Sequence, residues 1–176
     1  KFASVPFTQW FAKHESTNKQ GNLLSEDEKS VVLFNDTHST YYDTGVAIAA
    51  TEILEAAGFR VVVPNHKCCG RPMISKGLVD QARGAAQAII EQLYPLVEKG
   101  MPIIGLEPSC ILTFKDEYLS LLPNDDRAKE VANAAITFEE FVMDKDVRGE
   151  FKLAFKAVDK KVLLHGHCHQ KALVGT

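Results

Sequence analysis

Strand-like and helix-like segments alternate along most of this chain of 176 residues, and short polar loops separate them. Such alternation predicts an α/β fold, in which a mostly parallel sheet is flanked by helices in a Rossmann-like, three-layer arrangement. Short apolar runs suit strands that are buried on both faces of such a sheet. We predict strands over residues 31–34, 59–63, 102–106 and 161–165.

The helices are predicted between and after these strands. One begins at a cap formed by Asp43 or Thr44 and ends before Gly58, since glycine adopts the backbone conformation that closes helices. Further helices are predicted over residues 76–99, after Glu107, over 125–135 and over 138–145. Residues 1–30 are polar and irregular apart from aromatic side chains, and we interpret them as a linker or N-terminal arm whose aromatics dock on a neighbouring surface. The domain then covers residues 31–176, and its ending resembles a first helical turn, so we expect a fragment truncated at the carboxyl end.

Charge and hydropathy exclude several classes of partner. The formal net charge of −3 gives no electrostatic reason to expect nucleic acid or an anionic membrane surface. No apolar run is long enough for a transmembrane segment, and residues 1–10 lack the apolar stretch of a signal peptide. We therefore expect a cytoplasmic protein whose four cysteines are reduced and free for metal, redox or burial roles.

Cysteine and acidic residues follow the predicted strands, at the point where each strand ends. Ligands bind at the carboxyl ends of the strands in open α/β sheets, so these residues predict a site at that edge. They are Asp36, Cys68, Cys69, Cys110 and Cys168.

The thiols suit a metal or cluster site. Thiolates bind iron and zinc, and two adjacent cysteines reach different irons of a cluster more easily than they share one ion. Gly70 removes a side chain that would crowd an inorganic core. Cys110 lies at a strand-to-helix turn, where helix amides stabilise a thiolate. The paired cysteines Cys68 and Cys69 could instead be small buried hydrophobic residues.

Residues 165–169 read His-Gly-His-Cys-His, which combines imidazole and thiolate groups. Both groups suit zinc or the surroundings of an iron–sulfur cluster. We take Cys168 as the best ligand candidate here, and we expect at least one histidine only to cap the last helix or to bond to neighbouring loops. No GxGxxG, P-loop or nucleophile-elbow motif is present, so we assign no nucleotide site and no catalytic residue.

Three motifs in order resemble the cysteine-rich CCG domain, which occurs in one subunit of heterodisulfide reductase and in the iron–sulfur subunits of glycolate oxidase and anaerobic glycerol-3-phosphate dehydrogenase. The sequence of these motifs is most similar to the carboxyl-terminal part of fused FAD-linked dehydrogenases that act on D-lactate or D-2-hydroxyglutarate. The resemblance covers residues 31–176. Its motifs are VPNHKCCGRP at 63–72, GLEPSC at 105–110 and HGHCHQKA at 165–172.

The resemblance implies the first of two pseudo-repeats of an iron–sulfur, 4Fe–4S-type electron-transfer domain. It implies that electrons pass from a flavin to a quinone or a redox-protein acceptor, near the inner face of the cytoplasmic membrane. FAD and ferredoxin-like clusters would lie in other domains of the same polypeptide, and this fragment alone would have no activity. The implied cofactor-binding residues are Cys68, Cys69, Gly70, Cys110 and Cys168, with His167 as a further metal ligand.

The sequence departs from the family motif at two positions. The cysteine expected before the CCG sequence falls near Asn35 or Asp36, and the second cysteine of the later Cys-x-x-Cys pair is Thr113. The noncubane cluster of heterodisulfide reductase therefore cannot form from this copy alone. Either this half only shapes the site, or other ligands substitute, with Asp36, His38 and His167 as candidates.

Three alternatives to a cluster domain stay open at this point. The first is a zinc-binding module that uses Cys68, Cys69, Cys168 and a histidine. The second is a thiol–disulfide redox enzyme in which Cys68 or Cys69 is the attacking thiolate. The third is a structural interaction domain whose cysteines are all replaceable.

Overall fold

The computed structural model describes residues 1–21, 29–151 and 153–175. Within them, four strands form one sheet in the order β2-β1-β3-β4, and every neighbouring pair is parallel. The strands are β1 (Ser30–Phe34), β2 (Arg60–Val62), β3 (Ile103–Gly105) and β4 (Ala135–Thr137). The predicted α/β class with a parallel, helix-flanked sheet is confirmed.

Helices cover both faces of this sheet. The described residues form α1 (Phe7–Gly21), α2 (Thr37–Tyr41), α3 (Thr44–Ala56), α4 (Arg71–Ser75), α5 (Val79–Val97), α6 (Pro108–Lys115), α7 (Glu117–Leu121), α8 (Asp126–Ala134), α9 (Phe138–Val147) and α10 (Cys168–Leu173). No described helix combines the length and the apolar character that crossing a bilayer requires.

Alternate residues of the central strands point to opposite faces and therefore belong to two separate cores. Val32 and Phe34 of β1 pack on one side with residues of α5, α6 and α8. Val31 and Leu33 pack on the other side with residues of α1, α3 and α9. Because β1 and β3 are buried on both faces, their carboxyl ends are held in fixed positions.

The prediction of a fourth strand over residues 161–165 is wrong. Residues 161–165 form no strand, and Val162, Leu163 and Leu164 are 85%, 96% and 77% exposed. The fourth place in the sheet is taken by β4, whose residues pair with β3, although Ala135 was predicted as the end of a helix and the next two residues as a junction between helices. An apolar run becomes a strand only where a neighbouring strand offers backbone partners.

The prediction that residues 1–30 are irregular is wrong for Phe7–Gly21, which form α1, and two aromatic residues of this helix dock on this chain's own sheet. Phe7 and Phe11 of α1 are 0% and 7% exposed and pack in the core on the α3 side. The aromatic docking that we predicted for the N-terminal arm is therefore intramolecular for these two side chains. Residues 22–28 of that arm lie outside the described part, and the domain boundary at residue 30 stays a prediction.

Candidate functional site

A cleft of about 440 Å³ opens at the carboxyl edge of the sheet. Its walls come from the loops after β1 and β2 and from the beginning of α6. Cys68, Cys69 and Cys110 all line it, although the first two come from the loop after β2 and the third from the first turn of α6. The structure therefore brings three of the four cysteines together at the edge where α/β proteins bind ligands.

Cys69 and Cys110 form a close thiol pair. Their Sγ atoms are 3.2 Å apart, and both residues are free cysteines. The hydrogen bond with Cys110 lowers the pKa of Cys69 to about 7, against the opposing effect of burial. The same bond, together with burial, raises the pKa of Cys110. Cys69 is thus the sulfur that carries negative charge most readily.

Cys68 differs from its neighbour. It is exposed, but partial burial of its thiol raises its pKa above the ordinary value. It stays protonated at neutral pH in the absence of a metal ion, so the two adjacent cysteines are chemically distinct.

Gly70 is explained by backbone conformation and helix packing. Its φ of 84° is in the left-handed region that favours glycine. An added Cβ would lie 3.2 Å from Cβ of Ala85 in α5, so the missing side chain faces that helix. The residue allows the chain to turn from the paired cysteines into α4.

Tyr118 stabilises the backbone at Cys69 of the thiol pair, and the sequence analysis did not predict this role. Its hydroxyl donates a 2.7 Å hydrogen bond to the carbonyl oxygen of Cys69, and its side chain is fully buried. Burial, with a further contribution from the charge of Cys69, raises the pKa of Tyr118, so the phenol remains a donor. No local pattern signals this contact, because it joins residues 49 positions apart.

Replacing Tyr118 by phenylalanine is expected to reduce the free energy of unfolding by about 1–3 kcal/mol, because the buried Cys69 carbonyl loses its partner. Urea denaturation followed by circular dichroism measures this change. Tyr41→Phe is the matched control, since Tyr41 is 45% exposed and its change is expected to stay within about 0.5 kcal/mol. Equal effects of the two substitutions would show that the hydrogen bond does not stabilise the loop.

Glu107 fixes the other side of the pair. It caps α6 and accepts hydrogen bonds from the Cys110 amide at 2.7 Å and the Ser109 hydroxyl at 2.6 Å. Burial raises the pKa of Glu107, but these hydrogen bonds outweigh it, and the net pKa is lowered. An ionised carboxylate therefore lies beside Cys110. The Glu-Pro sequence signals this cap, because proline favours the first turn of a helix.

His66 also lines the cleft. Its ring stacks on Phe34 with centroids 4.0 Å apart, and Nδ1 lies 2.7 Å from the carbonyl oxygen of Lys67. Burial lowers the pKa of His66, so the ring is neutral at pH 7. Nε2 is buried and has no hydrogen-bond partner among the described residues. A neutral imidazole nitrogen is thus available in the cleft that the three thiols line, although we had not predicted this histidine as a ligand.

His167 and Cys168 do not line the cleft, although His167 lies close to Ser109 and Glu107 at the beginning of α6. His167 caps α10, as we predicted for one of the histidines, by accepting from the amide of His169 at 3.2 Å. Its Nε2 is 3.4 Å from the Ser109 hydroxyl. Cys168 is exposed in the first turn of α10. The fourth cysteine is therefore held near α6 through His167.

The two positions at which the resemblance would place further cysteines have other structural roles. Asp36 is buried and lines the cleft, and its carboxylate caps α2 by accepting from the amides of His38 and Ser39 at 2.7 and 2.9 Å. Thr113 is fully buried, and its hydroxyl donates to the carbonyl oxygen of Ser109 at 2.6 Å. His38 is exposed and is not part of the cleft wall.

Comparison with known proteins finds distant relatives. D-2-hydroxyglutarate dehydrogenase of Haemophilus influenzae is 27% identical over 131 residues, which are 73% of this chain and 13% of that protein. One subunit of the anaerobic glycerol-3-phosphate dehydrogenase of Escherichia coli K12 is 25% identical over 175 residues, which are 98% of this chain and 42% of that polypeptide. Lactate utilization protein A of Bacillus subtilis is 29% identical over 139 residues, 76% of this chain and 55% of that protein. No family profile and no solved structure matches.

The fold and the cleft define an α/β protein with a thiol-lined candidate site at the edge of its sheet. The chain is a distant relative of the proteins that bear these three names. It spans only 13% and 12% of the two D-2-hydroxyglutarate dehydrogenases from Haemophilus influenzae and Escherichia coli. Most of each of those relatives therefore lies outside the matched segment.

Proposed function

We propose that this chain is an iron–sulfur electron-transfer module of a flavin-linked 2-hydroxyacid dehydrogenase. The observation that carries the proposal is the convergence of Cys68, Cys69 and Cys110 on one cleft at the carboxyl edge of the sheet. Three soft thiol donors at a ligand-binding edge are the chemistry that iron and iron–sulfur clusters require.

The donor set fits such a group. Cys69 forms a thiolate readily, and a cation in the cleft would displace the proton that Cys110 shares with it. His66 offers its unpaired Nε2 as a nitrogen donor. A bound cluster would accept and release single electrons. Tyr118 would hold the loop that carries Cys68 and Cys69, and Glu107 would hold the first turn of α6, which carries Cys110.

The relatives support the wider setting of the proposal. The names of two of them state that they are dehydrogenases of D-2-hydroxyglutarate and of glycerol-3-phosphate, and the third is named for lactate utilization. We assign the chain to the CCG type, as the first of two pseudo-repeats, with Cys168 opening the second. FAD and ferredoxin-like domains of the same polypeptide would supply electrons, and a quinone or a redox protein at the cytoplasmic face of the membrane would accept them.

Metal analysis of the anaerobically purified chain tests this function. We expect iron together with acid-labile sulfide and visible charge-transfer absorption. Cys69→Ser is expected to lower the bound iron at least tenfold, since even indirect changes to metal sites cost about 10–100-fold in affinity. Cys168→Ser is the matched control, because that thiol lies outside the cleft and most iron should remain.

Two results would overturn the proposal. Zinc without iron or sulfide would establish the zinc-binding alternative. A chain that takes up no iron and sulfide on anaerobic reconstitution, while its circular dichroism shows it to be folded, would place the cluster elsewhere in the complete protein.

The 3.2 Å separation of the Cys69 and Cys110 sulfurs also favours a second candidate function, thiol–disulfide exchange. Cys69 would attack a small-molecule disulfide and release one thiol, and Cys110 would then displace the second thiol and leave an intramolecular disulfide. Incubating the metal-free chain with glutathione disulfide should then remove two free thiols in wild type and leave a stable mixed disulfide in Cys110→Ser. Unchanged thiol counts would reject this candidate.

A further inference from the structure

A second group of ligand-type side chains lies where α10 packs against the turn between α6 and α7. Asp116 joins the two helices, Glu117 begins α7, and His169 lies in the first turn of α10. One ligand atom from each lies within 4.8 Å of the others. Among the described residues, no other set of three histidine, cysteine or acidic side chains meets that condition.

His169 points into this group without a hydrogen-bond partner. Its side chain is 10% exposed, and its Nε2 is 3.7 Å from Oδ2 of Asp116 and 3.9 Å from Oε2 of Glu117. Both of its ring nitrogens and Oε2 of Glu117 are buried and unpaired within the described part of the chain. Buried polar atoms are almost always paired in folded proteins, so these atoms indicate a missing partner.

The surrounding charges favour a cation as that partner. Arg71 forms an ion pair with Oε1 of Glu117, which leaves Oε2 free to face His169. The one guanidinium balances only one of the two carboxylates, so negative charge remains beside the imidazole. The two separations are too long for direct hydrogen bonds but leave a position between the three side chains.

We propose that Asp116, Glu117 and His169 bind a divalent transition-metal ion of the zinc class. Zinc takes nitrogen and carboxylate ligands at about 2.0–2.2 Å, which places two tetrahedral ligands about 3.3 Å apart. The two separations from Nε2 of His169 exceed this spacing by only about 0.4 and 0.6 Å, the ligand atoms of the two carboxylates lie within 4.8 Å of each other, and water can fill the remaining position. This site uses no thiol, and it stands whether or not the cleft holds a cluster.

The ion would join α10 to the body of the fold. His169 follows His167 and Cys168 directly, and the preceding residues 155–165 are exposed and form no helix or strand. A metal bond at His169 would therefore fix the segment that carries the fourth cysteine beside α6. The structural role of the ion is thus to hold α10 in place.

Zinc binding by the purified chain tests the site. Equilibrium dialysis with zinc, followed by metal analysis, should show one ion fewer in His169→Gln than in wild type. His165→Gln is the matched control, because His165 is exposed four residues earlier and should bind as many ions as wild type. Zinc should raise the melting temperature of wild type and of His165→Gln more than that of His169→Gln.

Two further variants separate this site from the thiols and guard against misfolding. Cys69→Ser is expected to retain the ion that depends on His169, whatever its effect on the cleft. Asp116→Asn, at a side chain that is 48% exposed, should lower the affinity for that ion at least tenfold without disturbing the core. Equal zinc binding by wild type, His169→Gln and Asp116→Asn would overturn the proposal, and so would zinc that is lost only with Cys69.

Discussion

Gly105→Ala is expected to lower the free energy of unfolding by about 3 kcal/mol or more, the upper end of the usual cost of overpacking a core. Gly105 is the last residue of β3, and an added Cβ would lie 2.3 Å from Cβ of Ile111. Ile111 is fully buried in α6, and its Cβ is attached to the helix backbone, so no side-chain rotation relieves the clash. Either β3 or α6 must move. Since α6 carries Cys110, the thiol pair should be disturbed as well.

Gly84→Ala is the control for this substitution. Gly84 lies within α5, and nothing is within 4 Å of its ideal Cβ. Alanine there should leave the free energy of unfolding unchanged or raise it by up to about 1 kcal/mol, because alanine has a higher helix propensity than glycine. Urea denaturation followed by circular dichroism measures both variants. A loss below about 1 kcal/mol for Gly105→Ala, short of the usual overpacking cost, would mean that α6 shifts easily and does not hold Cys110 rigidly.

The central strands could be predicted because their sequences are short apolar runs that end at polar or glycine residues. Residues 31–34 and 102–106 coincide with the two strands that are buried on both faces, where the hydrophobic signal is strongest. β4 could not be found in this way, because Ala135–Thr137 is a three-residue segment between two helices. Its pairing depends on β3 lying beside it, which is a property of the whole fold.

The positions of Cys68, Cys69 and Cys110 were predictable for a related reason, whereas Cys168 follows the segment 161–165, which forms no strand, and lies outside the cleft. Parallel strands end at one edge, so cysteines that follow different strands are brought together once the sheet forms. The groups that tune them were not predictable, because Tyr118 reaches Cys69 only through the packing of α7. His66 likewise becomes a neutral donor through its burial against Phe34, which the linear sequence does not display.

The α6 helix connects these separate features. Its cap, Glu107, holds the amide of Cys110, and the following residue, Ile111, packs against the end of β3. The turn at its carboxyl end carries Asp116, which faces His169 of α10. A shift of this one helix would therefore change the thiol pair and the contact with α10 together, which explains why its packing against Gly105 has to be tight.

Asp36→Ala is expected to lower the free energy of unfolding by about 2–4 kcal/mol, which adds the loss of a helix cap to the cost of unpaired buried donors. The carboxylate of Asp36 accepts from the amides of His38 and Ser39, and Oδ2 accepts from the Ser39 hydroxyl at 2.6 Å. Asp36 is 5% exposed, so water cannot replace these bonds readily. Asp43→Ala is the control, since Asp43 caps α3 without any side-chain hydrogen bond and should change stability by less than about 0.5 kcal/mol.

The variant Asp36→Asn then distinguishes the role of Asp36 as the cap of α2 from a role as a metal ligand. Asparagine caps helices about as well as aspartate, so this variant should lose far less stability than Asp36→Ala. If Asp36 serves only the cap, Asp36→Asn should keep the iron and sulfide content of wild type. Iron that falls in Asp36→Asn while urea denaturation shows a stable fold would instead establish Asp36 as an oxygen ligand. The buried carboxylate favours the first outcome, because three of its roughly four acceptor positions are already used by the bonds that begin α2.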